Sequence, residues 1–299
     1  MVRTQGLNYL ADDYYSSYEF NSLREETKRQ YQYHIGIMLD TVIDSKAIRD
    51  RQCDKVSSRL VKLAYNEWCE RGVHFANHVL SSSRILFNHG MNMEMVLVNP
   101  FLAVKKRSVK PRRTVWGREQ VQQFLETAYG DYSTRNVGLI AQMAYEWCQR
   151  LGDMRLLQWD SIQFDKARVH IEQSKRRAEV FLPVSDDLLE MLAQQQEDFG
   201  FQPYVAPMTV PIRGVYKPYT LHRLPKVARR IMREAGLPEE LRLSDLRRTG
   251  TTEMVDAGVG MAQIMSVTGH ANPQSVKPYM KNTFTSADLA LTARKNHDI

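Results

Sequence analysis

Between residues 105 and 114 the chain reads KKRSVKPRRT, with six Lys or Arg, one Pro and no acidic side chain. A core cannot take in such a run, because unpaired charge is too costly to bury. It has no apolar periodicity either, so it reads as an extended connection between two folded units. The same segment carries nearly all of the chain's net charge of +7: residues 1–104 hold 12 basic and 12 acidic side chains, and residues 115–299 hold 23 and 22. Extended at ~3.3 Å per residue it reaches roughly 33 Å, enough to cross a duplex groove about 12 Å wide and leave a folded unit on each side. Lys105, Lys106, Arg107, Lys110, Arg112 and Arg113 are therefore the candidate DNA-binding residues, neutralising phosphates with a salt-dependent affinity. The same charge would also serve an acidic protein partner, a membrane surface or a plain solvated linker.

On this division residues 1–104 form one domain, 105–114 the basic linker and 115–299 a second domain with a C-terminal tail. A composition of 43% hydrophobic and 25% charged residues gives a soluble globular chain with room for two modest domains. In the first domain, apolar residues at three and four spacing predict helices over 22–40, 57–72 and 74–89, ended by Gly90 and the Asn99-Pro100 pair. In the second, helices are expected over 117–129 and 136–149. Strand-like alternation follows at Ile162/Phe164, Val169/Ile171 and Val180/Leu182, with a basic turn at Lys175-Arg176-Arg177. Helical patterns resume over 186–197, 222–235, 244–257, 261–268 and 285–294. The fold class is mostly α (α+β), two helical domains of which the second carries a small antiparallel sheet.

No stretch approaches the ~20 apolar residues of a membrane span, and MVRTQGLNYLADDYYSS has no apolar signal core, so the expectation is a cytoplasmic protein with no membrane partner. Cys53, Cys69 and Cys148 are too scattered for a zinc cage or a disulfide framework and are expected as buried reduced thiols. His74 and His78 lack the Glu of H-E-x-x-H and a third ligand, and the GVG at 258–260 follows a helical stretch rather than a strand. No metal and no cofactor are expected.

Four separated stretches of the second domain bring together residues suited to one chemistry. EWCQRLGDMRLLQWDSI ends a helix at Arg150, QSKRR puts Lys175 at a hairpin tip, LRLSDLRRTGTTEMVDAG places Arg247 near a helix start, and TGHANPQSVKPYMK has His270 nine residues before Tyr279. Singly, each has an ordinary reading as a solvated arginine, a surface lysine or one more half-buried tyrosine among fourteen. In this order the set resembles the tyrosine recombinase (phage integrase) family, over nearly the whole chain. CQRLGDMRLLQWDSI is similar to its G-x-R-x-x-E-L-x-x-L-x-W-x-D-I stretch, SDLRRT to its H-x-L-R-H-T box, and TGH with Tyr279 to its L-G-H and tyrosine. ILFNHGMNMEMVLVNPF looks like the close of its helical core-binding domain. Ser244 stands where the family carries histidine, and Arg248 replaces the common histidine after the arginine. Serine can hydrogen-bond but cannot carry positive charge, so reduced rather than abolished activity is expected.

The resemblance implies a metal-independent site-specific recombinase of the phage or prophage integrase type, acting in viral genome integration in a bacterial host cell. Tyr279 would attack phosphorus to leave a 3′-phosphotyrosine and a free 5′-hydroxyl, conserving the phosphodiester energy. Arg150 and Arg247 would stabilise the charge growing on the non-bridging oxygens. Lys175 would protonate the departing 5′ oxygen, and His270 would bond the phosphate or assist Tyr279, with Ser244 completing the set. The implied partners are double-stranded DNA attachment sites, a homotetramer on DNA and accessory DNA-bending or directionality proteins. Ala287, Leu289, Leu291 and Ala293 would dock the tail on a neighbouring protomer or back on its own domain. With helices expected to start by about residue 22, an additional amino-terminal arm-binding domain is not expected. The competing readings are a Xer-like resolvase and a non-catalytic, recombinase-derived DNA-binding protein.

Overall fold

The computed structural model describes residues 5–175, 177–279 and 284–295. Contacts divide the chain into two units, Met1–Arg112 and Arg113–Ile299. The first holds α1 (Leu7–Ser16), α2 (Tyr18–Asn21), α3 (Glu25–Asp40), α4 (Ser58–Glu70) and α5 (Val73–Asn92). A two-residue ribbon, β1 (Val42–Ile43) with β2 (Lys46–Ala47), joins α3 to the segment before α4.

Helix α4 starts where the Ser57 side chain accepts from the Leu60 N–H, and its buried stripe is Leu60, Val61, Ala64, Tyr65 and Trp68. That stripe recurs at the three and four spacing of a face packed on neighbouring helices, here α5. Trp68 is buried without stranding its donor, since its indole N–H donates to Thr41 Oγ1 at 2.8 Å. Asn99 closes the unit. Its Nδ2 donates to Arg84 O (2.9 Å) and Asn88 Oδ1 (2.7 Å) while Oδ1 accepts from Phe101 N–H (3.0 Å), seating Phe101 against Phe87.

Three expectations for this unit are corrected. The helices begin at Leu7 rather than about residue 22, because Leu7, Leu10, Ala11 and Tyr14 form a buried stripe at helical spacing. The helix expected from 22 starts at Glu25. Of the cysteines, Cys53 is buried but Cys69 is only half-buried. The basic segment has no regular secondary structure, and its chain is tied down at Arg107. There the backbone N–H donates to Tyr65 Oη (2.7 Å), the carbonyl accepts from Asn77 Nδ2 (3.0 Å) and the guanidinium donates to Asn66 Oδ1 (3.0 Å).

The second unit opens on Trp116, whose backbone N–H donates to Thr249 Oγ1 (2.9 Å) and indole N–H to Arg242 O (3.1 Å). Its helices are α6 (Arg118–Tyr129), α7 (Arg135–Glu146), α8 (Leu151–Met154), α9 (Asp186–Phe199), α10 (Arg223–Glu234), α11 (Leu246–Asp256), α12 (Met261–Thr268) and α13 (Phe284–Lys295). Between α8 and α9 runs an antiparallel sheet of β3 (Ile162–Gln163), β4 (Arg168–Glu172) and β5 (Glu179–Pro183). Val169 pairs with both Ile162 and Leu182, and Ile171 with Val180, so one face is apolar and buried. Phe164, expected in the first strand, instead falls in a single turn after it.

Helix α7 is buried from Asn136 through Ala144, the condition of a helix at the centre of a unit. Its buried polar groups are paired: Asn136 Nδ2 donates to Pro207 O (2.7 Å) and Oδ1 accepts from Gln195 Nε2 (3.0 Å). α11 crosses it closely at Gly250, where a Cβ would lie 2.6 Å from Tyr145 O and 2.7 Å from Cys148 Sγ. This crossing sets α11 against the end of α7, and both lead to the site. α13 runs beside α11 with Ala287 and Leu291 exposed, while the side chains of Leu289 and Ala293 lie outside the described residues. Among the described residues no helix is long and apolar enough to cross a membrane.

Burial pushes the thiols of Cys53 and Cys148 up to about 11. The folded chain therefore holds these protons more tightly than the unfolded one, and the associated stability is complete below pH ~9 and is lost as pH rises towards 11. Alkylation at pH 8 is expected to modify Cys69 first, with Cys53 and Cys148 reacting only on unfolding; equal labelling of all three in the native protein would contradict this burial.

Candidate active site

Chain direction changes abruptly after α7. Cys148 adopts a positive φ of 51°, turning the backbone so that Gln149 points inward and Arg150 leads into α8. Gln149 is fully buried and its Nε2 donates to Trp147 O (2.8 Å) and Val267 O (2.7 Å). Its Oε1 accepts from Gln173 Nε2 (2.7 Å), and the same Nε2 donates to Thr268 O (2.8 Å). Gln173 Oε1 in turn accepts from Arg150 Nη1 at 2.7 Å. One buried amide at the root of the β4–β5 hairpin thus joins the end of α7, the guanidinium of Arg150 and the end of α12. Asp153 adds a second tie: it is buried, accepts from Ser174 N–H at 3.1 Å and lies 3.8 Å from Arg150 Nη1.

The hairpin and the α12 end also fit sterically. Gly269 ends α12 in the left-handed conformation at φ 67°, which a glycine adopts without strain. A Cβ there would meet Gln173 Nε2 at 2.5 Å, so both backbone and space require glycine.

Arg247, in the first turn of α11, is 9% exposed. Its Nη2 donates to Thr268 O (2.8 Å) and to His270 Nε2 (3.2 Å), while its Nη1 is buried with no acceptor among the described residues. Burial first, then the neighbouring Arg150 charge, lowers the Arg247 pKa, against smaller pulls from Tyr279, Cys148 and Asp153. Two guanidinium groups are therefore close enough to repel and one keeps an unmet buried donor, an arrangement that costs stability and suits an anion held between them. The network assigns the His270 tautomer. Thr268 Oγ1 donates to Ile264 O (2.7 Å), so it accepts from His270 Nδ1–H (2.7 Å) and leaves Nε2 to take the Arg247 hydrogen.

Tyr279 ends a single turn, Lys277–Tyr279, that packs on α11. Its ring lies 6.0 Å from that of His270, centroid to centroid, and the Arg248 guanidinium sits 5.0 Å over its face. Arg150, Arg247, His270 and Tyr279 are thus gathered in one place. Lys175 is exposed at the hairpin tip, two residues beyond Gln173, and Arg176 lies outside the described residues. Ser244 is exposed in the turn before α11, and no hydrogen bond of its side chain is formed among the described residues. It rims a cavity of about 390 Å³ with Leu151, Leu224, Arg242 and Leu243. Of the six basic residues of 105–114, all but Arg112 are exposed.

Sequence reasoning passed over Gln149, Gln173 and Thr268, and met Arg248 only as a departure from a pattern. The glutamines flank candidate site residues, one before Arg150 and two before Lys175, and that adjacency is their one visible signal.

A partly buried pair of arginines gathered with a histidine and a tyrosine, on a mainly helical unit with a three-stranded sheet, is an arrangement able to hold a phosphodiester beside a tyrosine hydroxyl. Residues 116–286 match the sequence profile described as the phage integrase family. The chain belongs to that family and is a tyrosine-type site-specific recombinase, an enzyme of DNA recombination. No curated protein sequence matches it significantly. Among solved structures, a lambda integrase dimer bound to a COC′ core site has a TM-score of 0.77 at 18% identity, over 94% of this chain and 78% of that one. A lambda integrase tetramer bound to a Holliday junction gives 0.77 at 17%, over 94% and 78%. The Tn1549 transposon integrase in complex with a circular intermediate DNA gives 0.77 at 14%, over 97% and 100%.

Replacing Gln173 by Met keeps its size but removes the hydrogen-bond partner of Arg150 Nη1 and Gln149 Oε1 and leaves Thr268 O with Arg247 alone. Gln173→Met is expected to cost about 2–5 kcal/mol of unfolding free energy in urea titration; an unchanged midpoint would mean the network carries no such weight.

Proposed function

We propose that this recombinase cleaves and rejoins duplex DNA at an attachment site of the phage or prophage integrase type, with Tyr279 as nucleophile. The single observation that carries the reading is the unmet, buried Nη1 donor of Arg247 beside Arg150, in the pocket that also holds His270 and Tyr279. A phosphodiester between the two guanidiniums supplies the missing acceptor, and both forks then face oxygens whose charge grows as the tyrosyl oxygen adds. The Tyr279 Oη–P bond forms, the P–O5′ bond breaks, and a 3′-phosphotyrosine and a 5′-hydroxyl result. His270, with Nδ1–H tied to Thr268, keeps Arg247 oriented, and its Nε2, an acceptor in this tautomer, takes the phenolic proton of Tyr279 once the arginine shifts to the phosphate. Lys175, on an exposed hairpin whose root is fixed by Gln173 and Asp153, delivers the proton to the departing 5′ oxygen. Attack by the 5′-hydroxyl of another strand reverses the first step and joins new partners.

The first unit and the strap of Lys105, Lys106, Arg107, Lys110, Arg112 and Arg113 bind phosphates along the duplex, and the second unit performs catalysis. Exchange of two strand pairs requires four active protomers, a homotetramer on DNA; the lambda integrase tetramer on a Holliday junction supports this by fold similarity. Accessory DNA-bending proteins would set the direction. Ser244, exposed, contributes no charge, and the two arginines carry the stabilisation that the usual histidine would share.

Mixing the protein with a library of nicked duplexes, denaturing in SDS and sequencing the DNA left on protein tests this reading. A covalent adduct that is lost in Tyr279→Phe, and formed about 10²–10³-fold more slowly in Arg247→Ala, is expected. Salt-sensitive binding with no adduct would instead favour a non-catalytic DNA-binding protein. Removing Lys105 and Lys106 together is expected to weaken DNA binding uniformly across sequences and to reduce the slope of log K against log salt by up to about 2; an unchanged slope would remove the strap from the interface.

A further inference from the structure

Arg248 departs from the pattern of the box that contains Arg247, and the reaction as described above gives it no task. It follows Arg247 on α11, so one turn of helix directs one guanidinium to His270 and the next to the face of Tyr279, 5.0 Å from the ring centroid. The side chain is half-buried, and among the described residues no carboxylate lies within ion-pair distance of it. The Tyr279 ring is the partner its guanidinium has among the described residues. The tyrosine is presented by a single helical turn in which Tyr279 N–H donates to Val276 O at 2.9 Å and Val276 is fully buried. The backbone of that turn is fixed, while the ring on it needs a partner to hold its direction.

We propose that Arg248 is a positioning residue for the nucleophile. Its guanidinium clamps the Tyr279 ring against α11 by cation–π attraction, which strengthens where water is partly excluded. The ring is thereby held turned to the pocket of Arg247 and His270. The same fixed charge favours the phenolate character that Tyr279 gains as its Oη–P bond forms, the P–O5′ bond breaks and the phenolic proton departs. A methylene chain at this position could fill the space but could supply neither effect. Arg248 touches the nucleophile from behind its ring and leaves the phosphate to Arg150 and Arg247.

This inference rests on Tyr279 being the nucleophile, and the test separates the two. Single-turnover formation of the covalent adduct is followed at saturating nicked duplex, using a sequence recovered by the wild type, alongside the equilibrium affinity for the same duplex. Arg248→Met is expected to slow adduct formation about tenfold with unchanged affinity, and Arg248→Lys to recover most of the rate. Should Arg248→Met fail to fold, Arg248→Gln takes its place in the comparison with Arg248→Lys. Wild-type rates in the uncharged variants, or equal rates in the charged and uncharged ones, would overturn the role of Arg248 and leave Tyr279 in place. A wild type that forms no Tyr279-dependent adduct would overturn both.

Discussion

Gln173 has a fully buried side chain whose amide makes three hydrogen bonds to three different parts of the second unit: Arg150 on one side, Gln149 on another and the Thr268 carbonyl on the third. A buried amide is stabilising only when its capacity is met, and each partner here would be left short without it. The consequences spread outward. Arg150 is held by the oxygen, the α12 end by the nitrogen, and Gly269 has to be glycine because the same nitrogen occupies the space a Cβ would need. Thr268, held by Gln173, offers its carbonyl to Arg247 and its hydroxyl to His270. Sequence stretches more than a hundred residues apart become one site through this amide.

The electrostatics follow from that construction. Two guanidiniums brought together in a partly buried pocket repel, and the folded protein bears that cost together with an unmet donor on Arg247. Such a pocket is complementary to a bound phosphate more than to the empty state. Tyr279 sits at the edge, on a short turn packed against α11, the helix that carries Arg247 and Arg248.

Much of this was legible in the sequence, and the exceptions have physical causes. Helices α4 to α7 and α9 to α12 announce themselves by apolar stripes, and β4 and β5 by strict alternation of Val169, Ile171, Val180 and Leu182. α1 was passed over because Asp12, Asp13 and its tyrosines break a hydropathy reading, although Leu7, Leu10, Ala11 and Tyr14 are sealed. The candidate site residues are legible because their spacing resembles a family. Gln149 and Gln173 are not, since a glutamine is an exposed residue by default and only the fold reveals that two amides face each other. Arg107 likewise read as free linker charge, and its anchoring depends on Tyr65, Asn66 and Asn77, which no local pattern connects to it.

The most direct test of the account is a double-mutant cycle on the rate of covalent adduct formation, combining Gln173→Met with Arg150→Ala. If Gln173 acts by holding Arg150, the double variant is expected to be little slower than Arg150→Ala alone, a coupling on the order of 1–3 kcal/mol. Fully additive losses would contradict the account, because they would mean that the glutamine and the arginine serve the reaction independently.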